Sequence, residues 1–311
     1  MTESRTYATP AAFRAALTQR LSNLAETSPW TLQHLQRQVA YDRLLVRLYL
    51  TDDEWIVKGA AALLARNVGV RSTIDIDIYR ETAREEAEAE FRVAAAVDMG
   101  DWFRFEVRPS RTLDGTDGVR LPVKAFLGNT IWAEFHVDLV GADLRMTGEP
   151  EDVPPLARIA MPDMTQRGYR AYPLVDHVAD KVCAIFERHG DNGWPSARYK
   201  DLIDLVAISK SATSLEARPL IGALQSEAQR RGLELPLEFA VPDRALWESG
   251  YASEAARILV PIERTLDDAL AAVRPFLDPI LQGTADGIWH PQEMCWISNP
   301  DLSGNSGKVD G

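Results

Sequence analysis

Apolar residues recur at helical spacing along the first fifty positions. Phe13, Leu17, Leu21 and Leu24, then Leu32, Leu35, Val39, Leu44, Leu45 and Leu48, mark helical stripes within residues 10–49. The period then shortens. Trp55-Ile56-Val57 reads as a short strand running into Gly59, and Ala60–Arg66 as a helix. Asn67-Val68-Gly69 closes that helix with residues that tolerate the left-handed conformation. Ile74–Ile78 alternates as a second strand, placing Thr73, Asp75 and Asp77 on one face and Ile74, Ile76 and Ile78 on the other. Thr82–Val97 is an Ala/Glu-rich helix, with Glu85, Glu86, Glu88 and Glu90 on a solvated face.

A strand-rich block follows: Trp102–Arg108, turn signals at Asp114-Gly115 and Asp117-Gly118, Val119–Phe126, and Thr130–Val140 as the longest strand. In that last run Ala133, Phe135, Val137 and Leu139 share one face, and Trp132, Glu134, His136 and Asp138 the other. Residues 141–173, with prolines at 150, 154, 155, 162 and 173, read as a connection carrying one short strand. Helical patterns dominate from Leu174 to about Leu281, and Ser298–Gly311 is polar, Gly/Ser-rich and expected to be disordered. The expected fold is α+β and bilobal: an N-terminal mixed-sheet lobe (1–165), a C-terminal helical lobe (166–285) and a tail (286–311).

Composition narrows the class. A chain of 311 residues, 46% hydrophobic and 26% charged, fits a soluble globular protein with room for two cores. No basic region precedes an apolar run at the N-terminus, and no stretch approaches the roughly 20 apolar residues of a membrane span. Cys183 and Cys295 lie far apart, which fits a reducing cytoplasm and predicts two small core hydrophobes. The net charge of −12 argues against general nucleic-acid binding, but leaves room for a local basic groove among Arg158, Arg167, Arg170, Lys181, Arg188, Arg198, Lys200 and Lys210. The segment Gly304–Lys308 lacks the glycine gap, the preceding strand and the hydroxyl residue of a phosphate loop.

Four constellations carry candidate chemistry. Asp75 and Asp77, side by side on a strand, repel each other unless a cation joins them, and carboxylate oxygens suit Mg²⁺. The helix opened by Gly59 offers backbone N–H groups to a phosphate. Asp138, on a neighbouring strand face, would add a third carboxylate for one or two cations, with His136 and Glu134 bordering it. In the helix Leu174–Arg188, Lys181 can act as a point charge on phosphates. Lys200 with Asp204 and Arg198 with Asp201 are spaced for helix-surface ion pairs. Together these point to phosphoryl or nucleotidyl transfer.

Val57-Lys58-Gly59, Arg71-Ser72-Thr73-Ile74-Asp75-Ile76-Asp77, Asp180-Lys181-Val182-Cys183-Ala184 and Arg198-Tyr199-Lys200-Asp201-Leu202-Ile203-Asp204-Leu205, with the upstream run Tyr41–Leu48, occur in an order that resembles the AbiEii-type (MenT-like) nucleotidyltransferase toxins. These are toxins of type IV toxin–antitoxin systems, within the DNA polymerase β-like nucleotidyltransferase superfamily. The resemblance covers roughly residues 35–210. It implies an active site between the lobes, with Asp75, Asp77, Lys181 and Asp201 catalytic, and Asp75, Asp77 and, by position, Asp138 binding Mg²⁺. Lys58, Gly59, Arg71, Ser72, Thr73 and Arg198 would bind the NTP, and Asp201 would act as a base or its positioner. The implied reaction adds nucleotides to the 3′ acceptor end of tRNA and blocks translation. The implied partners are the NTP, the tRNA or another RNA 3′ end, and an AbiEi-like winged-helix antitoxin. One departure stands out: the family's second turn residue, glycine or serine, is Ala60 here. Nucleotidylation or phosphorylation of a protein, and a catalytically inert nucleotide-binding module, are the alternative functions.

Overall fold

The structure is a computed structural model that describes residues 6–113, 117–141, 146–190, 192–211 and 215–298. The chain divides into two compact units. One takes the described residues up to Gly141 with Pro150–Tyr172, and the other takes Met146–Glu149 with the described residues from Pro173 onward. No helix among the described residues is long and apolar enough to cross a membrane.

The first unit opens with α1 (Pro10–Thr27), whose N-terminus is capped by the Thr9 hydroxyl accepting from the Ala12 N–H, and α2 (Leu32–Leu48), capped likewise by Thr31. Phe13, Leu17, Leu21, Leu35, Val39 and Leu44 are all buried, as their spacing predicts. Then come β1 (Ile56–Lys58), α3 (Gly59–Ala65), β2 (Asp75–Tyr79), α4 (Arg84–Ala95), β3 (Phe103–Val107), β4 (Arg111–Thr112), β5 (Gly118–Leu127), β6 (Thr130–Val140), β7 (Glu151–Val153) and β8 (Tyr169–Ala171). The sheet order is β3-β5-β6-β2-β1-β8-β7, with β4 paired to β5. β2 with β6 and β1 with β8 are parallel pairs and the rest antiparallel, so the sheet is mixed, as expected.

Three local expectations need correction. Ile74 is exposed, because the regular strand begins only at Asp75, while Ile76 and Ile78 are fully buried. Trp132 lies buried with the Phe135 side. A register irregularity at Ala125/Phe126 lets Phe126 face Ile131, so Trp132 is displaced from strict alternation and its indole N–H reaches the Gln36 carbonyl at 2.8 Å. The 150–172 segment supplies two strands, and β8 joins the main sheet beside β1.

The same unit contains a buried polar network. Arg43 and Arg47 both reach Asp101, at 2.6 and 2.7 Å, and Arg47 also donates to the carbonyls of Val97 and Phe103. Burial raises the Asp101 carboxyl, but the bonds and charges of the two arginines outweigh it and hold the group below its ordinary value. Asp42 accepts the Leu156 and Ala157 N–H groups, and its burial pushes its carboxyl up to about 7. These polar positions of the Tyr41–Leu48 run fasten α2 to the loops around it.

The second unit comprises α5 (Leu174–Phe186), a hairpin of β9 (Arg188–His189) and β10 (Trp194–Pro195), α6 (Tyr199–Lys210), α7 (Ala217–Arg231), α8 (Arg244–Ala255), α9 (Leu266–Leu281) and a second hairpin of β11 (Ile288–His290) and β12 (Cys295–Ile297). α5 packs on α6 and α7, and α6 on α8 and α9. Arg231, braced by Glu227 on its own helix, ties α7 to Asp180 of α5 and to Glu187 just beyond it. Residues 286–298, expected as tail, form structure. Trp289 is buried, its indole donates to the Ser209 carbonyl at 2.7 Å, and Trp296 stacks on Phe276. Cys183 is a core residue as expected, whereas Cys295 is exposed. The Asp114-Gly115 turn signal, the Gly304–Lys308 segment and the polar end from 299 lie outside the described residues.

Candidate active site

Four adjacent strands of the first unit carry one continuous polar row. Lys58 of β1 faces Asp77 of β2, Asp77 faces Asp138 of β6, and Asp138 faces Arg120 of β5. The next row sets Asp75 beside His136. Alternation forces this arrangement, since Ile76, Ile78, Val137, Leu139, Val119 and Leu121 turn to the buried side. The aspartates are therefore held on a rigid sheet whose other face is locked in the core.

Gly59 is explained by Asp77. A β-carbon at 59 would lie 1.8 Å from the Asp77 Oδ2, and the glycine has φ of +59°, a conformation side chains resist. Only glycine lets the carboxylate come against the start of α3. Ala60, the departure from the family pattern, is buried inside α3 and extends it as a regular helical residue. Lys58 places its ammonium 4.0 Å from the centre of the Tyr172 ring, and Tyr172 is held by its carbonyl to Arg66 Nη2 at 2.7 Å. Asn67, with φ of +59°, ends the α3 segment as its residue type predicts.

The approach to β2 is ordered by Thr73. Its hydroxyl donates to the Asp75 carbonyl at 2.8 Å and accepts the Asp75 N–H at 3.2 Å, and its own carbonyl accepts from the Tyr41 hydroxyl at 3.0 Å. Burial, and then the charges of Asp75 and Asp77 against the pull of Arg37, raise the Tyr41 hydroxyl, so it serves as a neutral donor. Arg71 and Ser72 precede this turn and are partly exposed.

The sequence reading misses Arg120. Its Nε and Nη2 grip the two Asp138 oxygens at 2.7 and 2.6 Å, and Nη2 lies 3.8 Å from Asp75 Oδ2. The bonds to Asp138 first, then the charges of Asp138, Asp75 and Asp77, raise the guanidinium further above its already high range. The signal was present in the hairpin: with Val119, Leu121 and Val123 inward, Arg120 must emerge on the aspartate face. His136 Nδ1 stands 3.1 Å from Asp75 Oδ1, and Glu134 pairs with Lys124 away from the aspartates. Among the described residues no three His, Cys, Asp or Glu side chains gather closely enough to enclose a metal ion. The donor set nonetheless suits a divalent cation bound together with a substrate phosphate, because such sites need only one or two protein carboxylates, here Asp75 and Asp77.

In the second unit, α5 and α6 bring Lys181 to Asp201 Oδ1 at 2.8 Å and to Asp204 Oδ2 at 2.7 Å. All three side chains are largely withdrawn from solvent, at 7%, 12% and 1% exposure, which decides against a solvated surface lysine. Asp204 thus turns inward to Lys181, while Lys200 is exposed. Arg198 pairs with Asp201 at 3.1 Å, as the i, i+3 spacing predicts. Asp201 is held from two sides, by a buried lysine and a solvent-facing arginine.

A family model described as the nucleotidyl transferase AbiEii toxin of type IV toxin–antitoxin systems matches residues 43–279. Among solved structures, the fold is similar to MenT4, a nucleotidyltransferase toxin from Mycobacterium tuberculosis H37Rv, with a TM-score of 0.56, 18% identity, and coverage of 85% of this chain and 89% of that one. JHP933 from Helicobacter pylori aligns with a TM-score of 0.43 and 15% identity, over 83% of this chain and 93% of its own. No curated protein matches the chain by sequence. The family match spans both sets of site residues, Lys58 to Asp138 and Lys181 to Asp204. The chain is a nucleotidyltransferase and belongs to the AbiEii toxin family of type IV toxin–antitoxin systems.

Proposed function

We propose that the chain transfers a nucleoside monophosphate from an NTP, with Mg²⁺, to the 3′ acceptor end of tRNA and so blocks translation. The observation that carries this reading is the pair Asp75 and Asp77, half-exposed above a buried apolar strand face, with Asp77 seated against Gly59. Asp75 and Asp77 would hold the cation, which supplies positive charge to the phosphate oxygens when bound. Lys58, Gly59 and the 71–73 approach, with Thr73 fixing the start of the strand, bind and orient the triphosphate. The RNA 3′ hydroxyl oxygen forms a bond to the α-phosphorus as the bond to the β-phosphate oxygen breaks. Pyrophosphate leaves with that electron pair, and the hydroxyl proton passes to a base. In the second unit, the family resemblance makes Lys181, Arg198 and Asp201 candidates for the same reaction, the two cations for phosphate and Asp201 for the proton.

An RNA acceptor is favoured by the first hairpin of the second unit. Trp194 is 66% exposed and faces His189 across the strand pair that also carries Arg188, and Arg198 and Lys200, four and six residues further along, are exposed as well. Aromatic rings beside cations suit stacked bases and backbone phosphates of a single strand. The family also supports a cognate antitoxin partner, of the winged-helix AbiEi kind. The test is sequencing of tRNA 3′ ends after incubation of total tRNA with each NTP and Mg²⁺. The expected result is untemplated 3′ nucleotides, with Trp194→Ala raising the KM for tRNA by about tenfold. Unextended ends with every NTP, under conditions where an NTP is bound, would overturn the acceptor assignment.

A further inference from the structure

We infer that Arg120 is a resident counter-cation of the aspartate face: it holds Asp138 out of metal coordination in the nucleotide-free protein, so that the divalent cation arrives with the NTP. The inference rests on the metal reading given under Proposed function and adds a positioning residue to it.

Three observations carry it. The row Lys58–Asp77–Asp138–Arg120 runs over four paired strands, so Arg120 is placed by backbone register and not by a loop. Its grip on Asp138 is bidentate, at 2.7 and 2.6 Å, the geometry in which a guanidinium occupies both carboxylate oxygens that a cation would need. Asp138 is 13% exposed and Arg120 40%, so the acid is shielded while the cation keeps a solvent-facing side from which to swing away.

Charge arithmetic gives the consequence. Asp75, Asp77 and Asp138 carry three negative charges, and Arg120 and Lys58 return two, leaving a single net negative charge to attract a metal. A site that weakly charged holds a free divalent cation poorly. A triphosphate restores the missing negative charge, so metal and nucleotide bind together. Arg120 also lies 3.8 Å from Asp75, and after release from Asp138 it remains in reach of the ligands that enter. Lysine would supply the charge without the fork, so arginine at this position sets both the charge and the blockade.

The test is Mn²⁺ binding without nucleotide, read by electron paramagnetic resonance on the full chain, for the wild type, Arg120→Gln, Asp138→Asn and the double variant. Arg120→Gln is expected to bind Mn²⁺ at least about tenfold more tightly. Asp138→Asn alone should not raise the wild-type affinity, and in the Arg120→Gln background it should remove the gain. Arg120→Gln should also melt at a lower temperature that Mn²⁺ raises more than it raises that of the wild type, because three facing carboxylates are left without their guanidinium. Equal Mn²⁺ affinity in wild type and Arg120→Gln, or a gain that survives Asp138→Asn, would overturn the inference. Failure of the wild type to bind Mn²⁺ even with an NTP would instead bring down the metal reading beneath it.

Discussion

A β-carbon at position 59 would stand 1.8 Å from a carboxylate oxygen and 2.7 Å from its carbon, so a single glycine fixes where Asp77 can sit. The positive φ at the same residue adds a backbone cost of about 1–2 kcal/mol for any side chain. Gly59→Ala is therefore expected to displace Asp77 and lower transfer activity by about a hundredfold, because reacting groups misplaced by about an ångström lose that much. Initial rates with a folded, circular-dichroism-matched variant check this, and a near-native rate would contradict the link between Gly59 and Asp77. The glycine and both aspartates are legible in sequence as a motif. The reason for the glycine is not, because it depends on the distance between two strands. Arg120 escapes for a similar reason: an arginine in a strand looks like solvent-facing charge until register places it beside Asp138.

At the scale of elements, the strongest revision concerns α5 and α6. Spacing alone suggests surface ion pairs on α6, with Lys200 facing Asp204. Packing instead buries Lys181 between Asp201 and Asp204. Removing the lysine strands two carboxylates with little solvent, at a cost of about 3–5 kcal/mol. Lys181→Ala is thus expected to lose stability as well as activity, measured by urea denaturation. Lys181→Met combined with Asp204→Leu should recover much of the stability while activity stays lost. Recovery of activity in that double variant would remove Lys181 from the chemistry. Long elements such as α1, α2, β6 and α5 are legible in the sequence, and in α1 burial follows a single spacing at Phe13, Leu17 and Leu21, whereas α2 is buried on every side from Gln38 to Leu48. Several short strands are not, although β1 is: β7 and β8 are three residues each amid prolines, and β11–β12 depend on tryptophans that find their partners in distant helices.

For the whole molecule, the family was legible because its motifs recur in order, and the matching model extends that likeness to residue 279, beyond position 210 or so, where the motifs end. The net charge of −12 gives little hint of an RNA acceptor, since the features that favour one are local, on the Trp194 hairpin. The central claim is nucleotidyl transfer by the Asp75–Asp77 face. The most direct measurement follows two labels on one NTP, at the α- and γ-phosphates, through a reaction with tRNA and Mg²⁺. The expected result is α-label in the RNA, γ-label released in pyrophosphate, and neither outcome with Asp77→Asn. Label transferred from the γ-phosphate, or undiminished α-transfer by Asp77→Asn, would contradict it.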